Sequence, residues 1–397
     1  MSVSEVAGPG GRVLSVDAYR GFVMLVMASA GLALGQAARL HPGSAVWQAL
    51  RSHTDHVAWR GCSSWDLIQP SFMFLVGVAM PFSYASRAAR GVGHAEQVRH
   101  ALVRSAVLVL FGVFLASAWS RQTNWAFTNV LAQIGLGYPF VFLLLGRPAR
   151  DQLGAAAAIL VGYWLLFALH PLPGTDFPYR DRGASPGADG LTGFLAHWAR
   201  NANAAAAFDR WFLNLFPRPA GSPFRFSEGG YATLNFVPSA ATMLAGVLAG
   251  ERLRSGAGPW TKVRDLVLAG AACLALGLAL DQTACPIVKR IWTPSWAVYS
   301  AGWACLLLAL FYGLIDVAGY RRWAFPLTVV GVNSIAFYLM SQLMKPFVAG
   351  QLQTHLGQDI FRGAYGPTVR AGSVLLVFWL IAFGMYRRKI FNGPRKG

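Results

Sequence analysis

Long apolar runs alternate with short polar connections along the whole chain. Runs near 19–36, 65–86, 99–118, 128–146, 153–170, 233–250, 263–280, 296–314, 325–346 and 371–386 predict about ten helices. Each approaches the ~20 residues that a bilayer crossing needs. In lipid a segment must satisfy its backbone hydrogen bonds internally, so helices are the expected element. The run 325–346 is interrupted by Lys345 and Pro346. The fold class predicted is therefore all-α, a polytopic membrane domain over 13–391 between a short tail (1–12) and a basic tail (392–397). No repeat of ~20–50 residues and no matched pair of interrupted helices is evident.

The cations test this segmentation. Arg87, Arg90, Arg99 and Arg104 flank one connection, Arg147 and Arg150 another, and Arg252, Arg254, Lys262 and Arg264 a third. Arg321 and Arg322 mark a fourth, and Arg387, Arg388 and Lys389 the C-terminal end. They fall on every second connection, as the excess of cytoplasmic Lys and Arg requires. Both termini are then expected in the cytoplasm, with 37–64, 171–232, 281–295 and 347–370 outside. The longest of these, 171–232, is too long for a bare connection and is expected to fold as a cap. The first fifteen residues contain no apolar signal core, so the first span is expected to direct its own insertion.

Composition narrows the class further. The chain is 55% hydrophobic and only 13% charged, against about a quarter charged in soluble domains. A net charge of +18 would suit a nucleic-acid binder, but the cations sit between spans, so topology accounts for them and nucleic acid is excluded as a partner. Cys62, Cys273, Cys285 and Cys305 form no CxxC pair, which leaves no zinc or redox motif. Cys62 and Cys285 both fall outside, so a bridge between them is an alternative to free thiols.

Polar groups inside spans need partners or a wet cavity. Asn235, Ser239 and Thr242 share one helix face, as do Asn129 with Gln133, Asp66 with Gln69, and Ser334 with Tyr338 and Ser341. Most lie in the outer half of their spans, which predicts an outward-facing polar cavity. Asp17 and Arg20, at i and i+3, can pair at the inner end of the first span. "HTDH" holds His53 and His56, a weak metal pattern without a third histidine; no metal is expected. His56 is instead a candidate general base, with Asp66 able to orient it and favour its charged form.

Six stretches occur in a familiar order: "LSVDAYRGF", "DHVAWRGCSSWDLIQPSFMFLVGVAM", "VLAQIGLGY", "VKRIWTPSWAVYSAGWA", "GVNSIAFYL" and "YRRKIF". From Val13 to Phe391 the chain resembles the heparan-α-glucosaminide N-acetyltransferase family and its bacterial inner-membrane relatives. The resemblance implies transfer of an acetyl group from cytoplasmic acetyl-CoA, across the membrane, to the amine of a glucosamine-type sugar. It implies that His56 is the catalytic base or acetyl acceptor, that Asp66 assists it, and that Asn235, Trp292 and Asn333 line the pocket. One of the two carboxamides would serve the oxyanion. Trp59 is expected to contact the sugar, and Asp17, Arg20 and Arg104 to meet the CoA phosphates. Membrane lipids and a homodimer are the other partners expected. The family tends to carry Gln-Arg where this chain has Ala132-Gln133. The rival readings are an amino-sugar transporter and an O-acetyltransferase of a surface polysaccharide.

Overall fold

The computed structural model describes residues 13–174, 176–185, 187–219 and 221–390; the tails 1–12 and 392–397 lie outside the described residues. The first half comprises α1 (Leu14–Ala28), α2 (Ala45–His53), α3 (Ile68–Ala88), α4 (His94–Ser117), α5 (Val130–Leu143), α6 (Ala149–Ala168) and α7 (Ala204–Phe212). The second comprises α8 (Phe236–Arg254), α9 (Pro259–Thr283), α10 (Pro294–Tyr312), α11 (Phe325–Gly331), α12 (Ser334–Leu343), α13 (Lys345–Leu356) and α14 (Gly366–Arg387). Among the described residues the one β pairing outside them is an isolated bridge between Arg60 and Val288.

The protein is an all-α, multi-pass membrane protein. Among the described residues seven helices are long and apolar enough to cross a bilayer, and nine crossings result if each of two bent pairs is one span. The one remaining predicted span, the fourth (128–146), is held by α5, which has 14 residues and falls short of the ~20 of a full crossing. The bent pairs are α1 with Ala30–Leu40, at 43°, and Arg322–Gly331 with α12, at 69°. Both correct the sequence reading. The expected break at Lys345–Pro346 instead starts α13, with proline in its first turn, and the real break lies at Val332–Asn333. Likewise the span 19–36 is not continuous: Ala30, Gly31, Leu32 and Ala33 all have positive φ. Interrupted helices therefore exist, but at the first and ninth of the expected spans, whereas a two-fold repeat would place them at matching positions of two halves.

Burial sorts the spans. Of the apolar window, 72% is buried in the span containing α8 and 61% in those containing α3 and α10, against 17% in α6, α9 and α14. The central helices meet at glycines. A side chain at Gly77 of α3 would collide with the Met243 carbonyl, and one at Gly246 of α8 with the Phe74 carbonyl. Gly21 and Gly331 make the same reciprocal contact between α1 and α11. Such backbone approach is what associates helices in lipid, where burial of apolar surface is no driving force. The basic connections after α3, α5, α8 and α10 all gather at one end of the bundle. The ends of α1 and α12 and the starts of α3, α5, α8 and α10 gather at the other, under the 171–232 segment, whose α7 and short 3-10 turns form a folded cap.

Candidate active site

The capped end concentrates the unusual chemistry. After α2 the chain runs through residues 54–63 without helix, then turns into α3 through a 3-10 turn, Ser64–Leu67. A capping box opens that turn: Ser63 N and Oγ donate to Asp66 Oδ2 at 3.1 and 3.0 Å. Val57 N donates to the same oxygen at 3.2 Å. The carboxylate thus serves as a helix cap, which places its other oxygen, Oδ1, toward His56. His56 Nδ1 lies 2.7 Å from Asp66 Oδ1. A carboxylate only accepts, so Nδ1 carries the proton and Nε2 is left as the base.

A third group joins them from far along the chain. Lys289 Nζ donates to Asp66 Oδ1 at 3.2 Å and lies 3.1 Å from His56 Nδ1. The Asp66 and Lys289 side chains are 1% and 5% exposed, while His56 is 35% exposed. One buried anion therefore faces one buried cation, with an accessible imidazole beside them. Burial pushes the Lys289 ammonium below its ordinary pKa, and Asp66 opposes that shift. Sequence reasoning missed this lysine. The signal was present: a Lys-Arg dipeptide inside the short connection 281–295.

Three arginines hold the loop that carries His56. Arg290 donates to Val57 O and Gly229 O, Arg200 of the cap donates to Ala58 O, and Arg60 pairs with Asp281 at 2.8 Å. The bond from Gly61 N to Ile287 O, beside the Arg60–Val288 bridge, lays loop 57–63 along loop 285–291 and so delivers Lys289 to Asp66. The loop is preorganised by contacts made across the whole molecule.

His56 and Lys289 face a cavity of about 510 Å³. Tyr231 of the cap, Gln69 of α3, Asn129 at the start of α5 and Gln342 of α12 add polar atoms, and Met24, Ile68, Phe72 and Val130 the apolar wall. An exposed base, an amide-rich lining and an apolar floor suit acyl transfer to a polar acceptor. No family model matches the chain. It is 24% identical to the human heparan-alpha-glucosaminide N-acetyltransferase over 96% of its own length and 59% of that protein's, and 23% identical to the mouse enzyme over 96% and 60%. The chain is a distant relative of these N-acetyltransferases. It spans about three fifths of the length of the curated relatives it matches.

In this relative of the acetyltransferases the remaining expected site residues scatter. Trp59 is not a sugar platform: it is buried beneath the cap against Trp198, to whose carbonyl its indole N–H donates at 3.0 Å. Asn235 is buried and donates to Arg290 O at 2.9 Å, bracing the connection that carries Lys289. Trp292, also fully buried, donates to Thr242 Oγ1 at 3.3 Å. Asn333 is buried at the 69° break between α11 and α12. None of these four is among the residues lining this cavity; Trp59, Asn235 and Trp292 are bonded within the packing around it, whereas both side-chain polar atoms of Asn333 are buried without a hydrogen-bond partner among the described residues. Asp17 and Arg20 pair at 3.1 Å as their spacing predicts, on α1 seven and four residues, and so about 10 and 6 Å of helix, below the cavity residue Met24. Arg104 lies over the ring of Tyr138 at 5.2 Å. Gln133, at the position of the family's arginine, donates to the carbonyls of Phe127, Ala232 and Thr233 and ties the entries of α5 and α8 together.

The four cysteines are free. Burial and the nearby Asp66 push the Cys62 thiol up to about 12, so it is no thiolate nucleophile at neutral pH. Among the described residues no group of three or more His, Cys, Asp or Glu side chains is placed to hold a metal.

Proposed function

We propose that the chain transfers an acetyl group from acetyl-CoA to the amine of a glucosamine-type sugar at the capped end of the bundle. The observation that carries this reading is the His56 imidazole, fixed through Nδ1 by the buried Asp66 and open through Nε2 to a polar-lined cavity. The neutral acceptor amine attacks the thioester carbonyl carbon, forming the C–N bond. Nε2 of His56 takes the amine proton, the C–S bond breaks, and the departing CoA sulfur receives that proton. Asp66 holds the imidazolium formed meanwhile. Lys289 is the cation in the cavity wall, suited to the developing oxyanion in place of the buried Asn235 and Asn333. Gln69 and Gln342 offer amides to sugar hydroxyls. The nucleotide end of CoA would lie toward Asp17, Arg20 and Arg104, at the opposite, basic end. That end faces the cytoplasm of a bacterial inner membrane and the cap faces the periplasm.

The test is incubation of the full chain, in lipid nanodiscs, with acetyl-labelled CoA and a panel of amino and neutral sugars. Label is expected on the amine of glucosamine derivatives. His56→Ala should lower turnover by about 10²–10⁴ while acetyl-CoA binding persists. Near-wild-type turnover in that variant rejects His56 as the base. Label on a hydroxyl alone selects the O-acetyltransferase, and sugar uptake into vesicles without acetylation selects the transporter.

A further inference from the structure

A second cavity, of about 390 Å³, lies on the far side of Trp65 and Ile68, which line both chambers. It follows α1 from Ser29 down to Tyr19, about 15 Å of helix, with Phe22, Val26, Trp303 and Leu307 among its walls. Phe22 and Trp303 are 38% and 37% exposed on spanning helices, so the cavity opens sideways toward lipid rather than water. Its upper rim carries His53, Thr54 and Ser64, the residues that bracket His56 in the chain.

The lining discriminates between occupants. Tyr19 Oη donates to Ser71 Oγ at 2.8 Å. Ser29 Oγ donates to Val26 O at 2.6 Å and accepts from Gly31 N at 3.2 Å. The hydroxyls in the membrane-depth part are thus engaged within the protein. A pantetheine arm would bring amides that need partners there, and burying unpartnered amides is costly. A hydrocarbon chain needs none. The upper end is built by strain: Ala30, Leu32 and Ala33 adopt left-handed φ of 48°, 49° and 55°, a conformation L-residues rarely hold. That turn folds Gly31 and Leu32 onto the cavity, with Gly31 packed so closely on Thr54 that a side chain there would press on it. Strain maintained by surrounding structure is characteristic of binding sites.

We infer that this chamber holds the hydrocarbon chain of a lipid-anchored acceptor, an amino sugar carried on an alkyl, acyl or polyprenyl tail. The tail lies beside α1, the linkage crosses the His53–Ser64 rim, and the sugar reaches His56 over the Trp65–Ile68 wall. This rests on the acetyltransferase reading and narrows its acceptor class from free sugars to membrane amphiphiles.

The probes are methyl and dodecyl glucosaminide, the latter also with a diazirine at the end of its tail, on the full chain in phosphatidylethanolamine–phosphatidylglycerol nanodiscs. Dodecyl glucosaminide should show kcat/KM at least about tenfold above the methyl compound, since each buried methylene favours binding. Val26→Trp and, separately, Leu307→Phe fill the chamber and should bring that ratio toward one. Simple partition into the bilayer would leave the ratio unchanged by either variant, and that result overturns the inference. Photolabel should concentrate on peptides bearing Phe22, Trp303 or Leu307. Label spread evenly over the outer faces of α6 and α14 overturns it, and so does label displaced by acetyl-CoA, which would make the chamber the donor's. Label in the chamber with no acetylation of either sugar supports the tail site and instead removes the acetyltransferase reading.

Discussion

Replacing Asp66 by asparagine separates the two tasks that its carboxylate performs. Oδ1 serves His56 Nδ1 at 2.7 Å and Lys289 Nζ at 3.2 Å, while Oδ2 serves Ser63 N, Ser63 Oγ and Val57 N at 3.1, 3.0 and 3.2 Å. An amide has one acceptor oxygen. Kept on the three cap donors, it turns its NH2 toward Nδ1, which must then accept; the ring proton moves to Nε2 and the base is lost from the cavity. The same tautomer reversal costs about 10⁴ in kcat in serine-protease triads, so a loss of about 10³–10⁴ is expected here. The second consequence is structural. Lys289, 5% exposed, loses its anion, and a buried charge stripped of its partner costs about 3–5 kcal/mol. The variant can escape by releasing the Lys289 proton, which burial already favours. The unfolded chain keeps that proton to about pH 10.4, so between the lowered folded value and that limit the unfolded state binds more protons. Stability of Asp66→Asn must therefore rise with pH. Thermal melting from about pH 6 to 9, read against wild type, should show the deficit shrinking as pH rises. Asp66→Asn/Lys289→Met should recover most of the stability but none of the rate, because it removes the stranded charge without restoring the tautomer. Wild-type kcat in the single variant, or equal destabilisation in single and double variants, refutes this account.

Asp209 of α7 is 2% exposed and accepts from Thr233 N at 3.0 Å, pinning the cap to the entry of α8. Burial raises its pKa to about 6, so the stability it contributes as a neutral acid is full below about pH 4 and lost as pH rises through about 6. Asp209→Asn should flatten melting temperature across that window and be more stable than wild type near neutrality, by on the order of 3 kcal/mol; an unchanged pH slope rejects the role. For orientation, a cysteine replacing Ser44 should react in intact cells with an impermeant thiol reagent, after Cys62→Ser removes background. One replacing Ala89 should react only after the membrane is opened, and the reverse pattern inverts the proposed topology.

Much of the site followed from near neighbours in the chain. His56 and Asp66 are ten residues apart and flank the start of one helix, so a short loop and a capping box suffice to join them. Asp17 and Arg20 meet because helix geometry requires it. Lys289 was not legible in this way, since 223 positions separate it from Asp66 and only the antiparallel lay of two loops at the capped end makes them partners. Trp59, Asn235, Trp292 and Asn333 were recognisable as unusual residues at the right end of the bundle. Whether such a side chain faces the cavity or the packing around it depends on helix rotation, and the weak amphipathicity of a central span, apolar on nearly every face, leaves rotation unspecified.

Sequence alone determined the class, the approximate position of the spans and the grouping of basic connections at one end. These are properties of individual segments: a bilayer crossing must be long, apolar and helical by itself, whatever it packs against. Tertiary structure decided where spans bend, which tryptophans are core, that a lysine completes the His56–Asp66 pair, and that a lipid-facing chamber shares a wall with its cavity. Those outcomes arise from glycine-mediated helix contacts, a left-handed turn and loop-to-loop hydrogen bonds between distant parts of the chain, whose free energies depend on three-dimensional fit and leave no periodic trace in the order of residues.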